Sequence, residues 1–143
     1  MKKLILLFVL LLPVSAFGDP AKKLRELNSE VNSQSKTLLI MANANGPSGA
    51  NYTAALRGSI ISYTAFQALD QLSLHRATVQ DSGVKNTKSY KLAHAHIESL
   101  FEVHIVSLTK WIAHATKAGV VAELRDCLKL FQKGLKVLKE TRL

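Results

Sequence analysis

From Leu24 to the end of the chain, apolar residues recur at three- and four-residue steps, and the pattern restarts three times. Leu24, Leu27, Val31, Leu38 and Met41 form the first stripe. That spacing predicts an amphipathic helix, with Gln34 as one polar residue on its inner seam. Asp19-Pro20 supplies the start, since aspartate caps a helix N-terminus well and proline suits its first position. Asn43 to Gly49 supplies the stop, because asparagine, glycine and proline together favour a loop. A second helix is expected over about residues 52–80, with Tyr52, Leu56, Ile60 and Tyr63 on one side and Ile61, Ala65, Ala68 and Leu72 on another. An apolar surface this broad suits a central helix, or one that also faces a partner. Asp81-Ser82-Gly83 ends it.

A third helix is expected from Ser89 to Gly119, carried by Ile97, Phe101, Leu108, Trp111 and Ala115, with Gly119 as its C-cap. The fourth follows at once. Val121, Leu124, Leu128, Phe131, Leu135 and Leu138 alternate steps of three and four without a miss, the mark of a helix packed along one seam. Gly134, inside it, either permits a close helix approach or is simply tolerated at about 1 kcal/mol relative to alanine. Four helices with short connections predict an all-α antiparallel four-helix bundle, a single domain over residues 19–143.

The first 18 residues have a different pattern. Met1-Lys2-Lys3 is a short basic start, Leu4 to Leu12 is unbroken apolar sequence, and Pro13 and small residues follow. This is the layout of a bacterial-type secretory signal peptide, cut after Ala16 or Gly18, and the run is too short to span a bilayer. No transmembrane span is expected after cleavage. A periplasmic location follows, and it argues against a nucleic-acid partner.

Charge and cysteine usage sharpen this picture. The formal net charge is +9, and the two lysines of the signal account for only two of those charges. A basic exported chain is expected to meet an acidic envelope protein or an anionic envelope surface. Arg125, Lys129, Lys133 and Lys136 form a basic stripe opposite the seam of the fourth helix, and this is the expected docking face. The surplus apolar side of the second helix is an alternative contact, including with a second copy of the chain. Cys127 is the only cysteine. It is expected as a buried small hydrophobe or as half of an intermolecular bridge.

Four of the five histidines fall between Ala93 and His114. As a strand, Ala93 to Glu98 would place His94, His96 and Glu98 on one face. On a helix, at about 100° per residue, His94 and His96 diverge. Only His94 and Glu98 then share a face at i,i+4, where a surface pair is the ordinary outcome. His104 points into the apolar stripe and needs a partner, for which Gln34, Ser62, Tyr63, Thr64 or a water are candidates. A metal- or haem-binding bundle would use His104, His75 or the His94/Glu98 pair. Against it, Cys-x-x-Cys-His and Glu-x-x-His are absent, and no cofactor is expected. No catalytic motif is present either. The sequence reading is therefore of a non-enzymatic, exported bundle that acts by protein–protein binding, in an accessory, inhibitor or immunity-type role.

Overall fold

The computed structural model describes residues 19–81 and 87–142; the expected signal peptide and most of the Ser82–Lys88 turn lie outside them. Four helices account for almost all of the described chain: α1 (Pro20–Ala44), α2 (Ala50–Asp81), α3 (Lys88–His114) and α4 (Ala118–Glu140). There is no strand among the described residues. The expected α1 start is present in detail: the Asp19 side chain accepts from the Ala21 N–H, and Pro20 is the first helical residue. At its other end the Asn45 side chain donates to the Met41 carbonyl, and Gly46 takes φ +82°, where a side chain would be strained.

Side-chain contacts fix the directions. Ser35 meets Ser59, and Asn28 meets Asp70, so α1 and α2 run antiparallel. Arg76 meets Tyr90 and Asn51 meets Thr116 across α2 and α3. Glu98 meets Arg142 across α3 and α4, and Lys23 meets Glu140 across α1 and α4. The fold is an all-α antiparallel four-helix bundle in which each helix packs on its chain neighbours and α4 returns to α1. The diagonals differ: the α2 and α4 backbones approach closely, while those of α1 and α3 stay farther apart. Small residues explain the short diagonal. A Cβ on Gly58 would fall 2.6 Å from Leu124 Cδ2, and Ser62 lies 3.3 Å from Cys127 Sγ. Cys127 is fully buried and unpaired.

Two expectations need correction. Gly119 is not the cap of α3. That helix ends at His114, Ala115 is extended, and Gly119 lies inside the first turn of α4. The break is made from a distance: the Asn51 side-chain carbonyl, on α2, accepts from the backbone N–H groups of Thr116 and Lys117 at 2.9 Å each. This satisfies donors that a helix start would otherwise leave unpaired. The centre of the α4 seam is also rotated. Val120, Leu124, Cys127, Phe131, Gly134 and Leu138 are buried, whereas Val121, Leu128 and Leu135 are only half-buried. Smallness decides this: a Cβ on Gly134 would fall 2.5 Å from Phe101 Cε1 and 3.1 Å from Leu27 Cδ1. Gly134 is therefore where three helices converge.

Candidate functional site

Polar residues gather at one end of the bundle, where the second half of α2, the first turns of α3 and the end of α4 meet. Arg76 is 4% exposed, although it continues the core-facing phase of Ala65, Leu69 and Leu72. Its guanidinium donates to the Tyr90 hydroxyl (3.1 Å) and to the Thr141 carbonyl (2.6 Å), and lies 5.5 Å from the centre of the Tyr90 ring. Its Nε is buried without a partner. Among the described residues this buried cation meets only neutral groups, which is costly to hold and leaves positive potential inside the bundle end.

One turn beyond Tyr90 stands His94, and one turn beyond that Glu98. Both are buried, at 2% and 7% exposure, so the expected surface pair is instead part of the interior. His94 Nδ1 is 2.9 Å from Glu98 Oε1. Both oxygens of Glu98 are also held by Arg142, with Nε donating to Oε1 at 2.6 Å and a second N–H donating to Oε2. These hydrogen bonds keep the Glu98 carboxyl below its usual range. An ionised carboxylate can only accept, so Nδ1 of His94 carries the proton. Burial pushes the imidazole below its usual value despite Glu98, and the two nearby arginines add to this. In the neutral ring Nε2 is then an acceptor, 3.4 Å from Thr141 Oγ1. That hydroxyl has one proton and a second acceptor, the Leu138 carbonyl at 3.1 Å.

The sequence hydroxyl–imidazole–carboxylate has the connectivity of an acyl-transfer triad. Thr141 is 1% exposed and its proton is shared with a helix carbonyl, so nothing offers this oxygen to a substrate. The same bonds clasp the end of α4: Thr141 is tied to α2 and α3, Arg142 to α3, and Glu140 to Lys23 on α1. Beside the clasp is an opening of about 270 Å³ lined by Tyr90, Lys91, His94, Ala95, Glu98 and Arg142.

The other histidines stand apart. His75 contacts Ser89 Oγ (3.2 Å) and the edge of the Tyr90 ring. His104 sits 15 residues further along α3, about 22 Å away at 1.5 Å per residue, so the two cannot share a ligand. His104 is half-buried with its ring edge-on to Phe131, and its Nε2 has no protein partner. The candidates for satisfying it are committed elsewhere. Gln34 bonds Glu123 on α4, Ser62 bonds Gly58 and Cys127, Thr64 bonds Ile60, and Tyr63 is half exposed. Burial lowers the His104 imidazole as well. Among the described residues no three His, Cys, Asp or Glu side chains are grouped to hold a metal ion. Arg142 occupies the carboxylate that His94 would need as a co-ligand.

The basic stripe of α4 is solvent-facing, but half of it is neutralised. Lys129 pairs with Asp126 and Lys133 with both oxygens of Glu30, while Arg125 and Lys136 remain exposed without such partners. The larger surface anomaly lies on α2 and α3. Ile60, Tyr63 and Leu74 on α2, and Leu92, Val103 and Val106 on α3, are 48–65% exposed. All six lie on the sides of their helices opposite the core. Contacts of His75 with Ser89, Arg76 with Tyr90 and Arg57 with Trp111 set the register of the two helices. In that register Leu74 is level with Leu92, Tyr63 with Val103, and Ile60 with Val106. No described helix is long and apolar enough to cross a membrane. No family model, curated protein or solved structure matches the chain.

Proposed function

We propose that the protein is exported and acts by binding an acidic protein partner through the outward face of the α2–α3 hairpin, in an accessory, inhibitor or immunity-type role. One observation carries the reading: three pairs of large apolar side chains stand level on adjacent helices and are left in water. Such residues contribute nothing to the core, and on a folded chain a concentration of them marks a binding surface. An acidic partner is favoured by the net charge of +9 and by Lys110, which is exposed on α3 near one end of this face. Export is supported by the pattern of residues 1–18. The α4 stripe is the weaker surface, since Glu30 and Asp126 already neutralise two of its four cations.

The test is site-specific photo-crosslinking in the native envelope. A crosslinker at Val103 or Tyr63 should capture one acidic protein, and one at Lys129 or Lys133 should not. Ile60→Asp with Val103→Asp should abolish that capture while the helical circular dichroism is unchanged. Crosslinks only to a second copy of the chain, or only from α4, would overturn the assignment.

A further inference from the structure

The opening at the clasped end is separate from the α2–α3 face and has chemistry of its own. Its polar groups are donors with capacity to spare. A guanidinium has five N–H donors, and Arg142 spends one on each oxygen of Glu98. Lys91 is exposed and has no hydrogen-bond or ion-pair partner among the described residues. The acceptors, by contrast, are used: Glu98 Oε1 meets both His94 and Arg142, and Oε2 meets Arg142. Behind the wall formed by Tyr90 and His94 lies Arg76, whose charge meets no carboxylate among the described residues and whose Nε is orphaned there.

Among the described side chains, the charges at and around the opening are Arg76, Lys91 and Arg142 against Glu98 and Glu102, the latter acting on Arg142 from the next turn. His94 is neutral at pH 7 by the argument above. One positive charge is left over, and one negative charge would balance it. The rest of the lining is the Tyr90 ring, the Ala95 methyl and the Lys91 stem, which suit an apolar body. At about 270 Å³ the space is slightly below the range of drug-sized pockets.

We infer that this opening binds a small amphiphilic monocarboxylate, its carboxylate held by Lys91 and Arg142 and its apolar part against Tyr90 and Ala95. A dianion such as phosphate fits less well, because it would exceed the charge surplus and lie beside Glu98.

The experiment is a titration of the purified protein with hexanoate, hexanol and inorganic phosphate at pH 7.5 and fixed ionic strength, followed by backbone amide NMR. Hexanoate should bind saturably at one site and shift the Tyr90, Lys91 and Ala95 signals. Hexanol, which keeps the chain and loses the charge, should bind at least about tenfold more weakly. Lys91→Gln, an exposed change that leaves the clasp intact, should weaken hexanoate by about tenfold and leave hexanol unaffected. No saturable binding, equal affinity for the alcohol, tighter binding of phosphate, or an unchanged affinity in Lys91→Gln would each overturn the assignment.

Discussion

Gly119 and Gly134 lie in the same helix, and replacing each by alanine should have opposite effects. An alanine in a helix interior is favoured over glycine by about 1 kcal/mol, through lower backbone entropy in the unfolded chain. At Gly119 the nearest atom to a new Cβ is Met41 Cε at 3.8 Å, an ordinary contact, and the backbone has no positive φ. Gly119→Ala should therefore stabilise by a few tenths to about 1 kcal/mol. At Gly134 the new Cβ would lie 2.5 Å from Phe101 Cε1 and 3.1 Å from Leu27 Cδ1. The Phe101 ring cannot simply swing away, because it is fully buried and packs 4.8 Å from Phe131. Overpacking of this kind costs about 1–3 kcal/mol, which exceeds the propensity gain. A 2.5 Å approach to a ring that cannot move calls for the upper part of that range, so Gly134→Ala should destabilise by about 1–2 kcal/mol net. Urea unfolding followed at 222 nm measures both, with the slope as a check on two-state behaviour. If Gly119 were instead a left-handed C-cap, alanine there would destabilise by about 1 kcal/mol. That result, or two shifts of the same sign and size, would refute the helix boundaries and the packing given above.

Three further outcomes follow from the buried polar groups. His94 and His104 are held below the ordinary histidine value by burial, so the unfolded chain takes up their protons first as pH falls. Stability should therefore be full above about pH 6.5 and decline below it, with a second loss in the acid range as Glu98, held low by Arg142, is protonated; a flat urea midpoint between pH 7.5 and 5 would contradict this, and His94→Gln with His104→Gln should remove the first step. Burial pushes the Cys127 thiol up to about 11, so a disulfide reagent at pH 8 should label native protein only at the rate of unfolding, and rapid native labelling would contradict the burial. Asn51→Ala strands the Thr116 and Lys117 N–H groups and should cost about 1–2 kcal/mol, whereas Asn51→Asp keeps the acceptor and should cost less; equal stability of the alanine variant and the parent protein would remove Asn51 as the cap.

The bundle was legible because burial and helical period agree over most of the chain. Leu24, Leu27, Val31 and Leu38 are all buried as their spacing predicts, and the Asp19 cap depends only on neighbouring residues. What was not legible depends on contacts between distant residues. Nothing near Gly119 indicates that Asn51, more than sixty residues earlier, starts α4. The rotation of the α4 seam toward Cys127 and Gly134 follows from Phe101 and Leu27, which belong to other helices. At the clasped end, His94 and Glu98 stood out by their i,i+4 spacing. Their burial comes from Arg142 and Thr141 at the end of α4, more than forty residues away, and no local pattern around either pair indicates the contact. Arg76 carried a usable signal, an arginine in phase with Leu69 and Leu72. The basic stripe was correctly placed on the surface by period alone, but Glu30 on α1 could not be anticipated as the partner of Lys133.

The serine pair between α1 and α2 has a consequence for how this sequence can drift. Ser35 donates to the Ser59 carbonyl at 3.1 Å and Ser59 donates to the Ser35 carbonyl at 2.9 Å, in a seam otherwise lined mostly by small and aliphatic residues. Small buried residues flank the pair, with Ala42 on α1 and Ala54, Ala55 and Ser62 on α2, so a neighbouring alignment of this stretch would also bring small residues together. The slide would strand two hydroxyls, and the pair therefore keys the hairpin to a single alignment. Because each hydroxyl bonds a backbone carbonyl, replacing one serine with alanine removes its own bond and the 3.4 Å contact between the two hydroxyls but leaves the other serine's bond in place. The two positions can thus drift one at a time, each step removing one of the two bonds that key the hairpin, and only the loss of both leaves the alignment to the apolar packing alone.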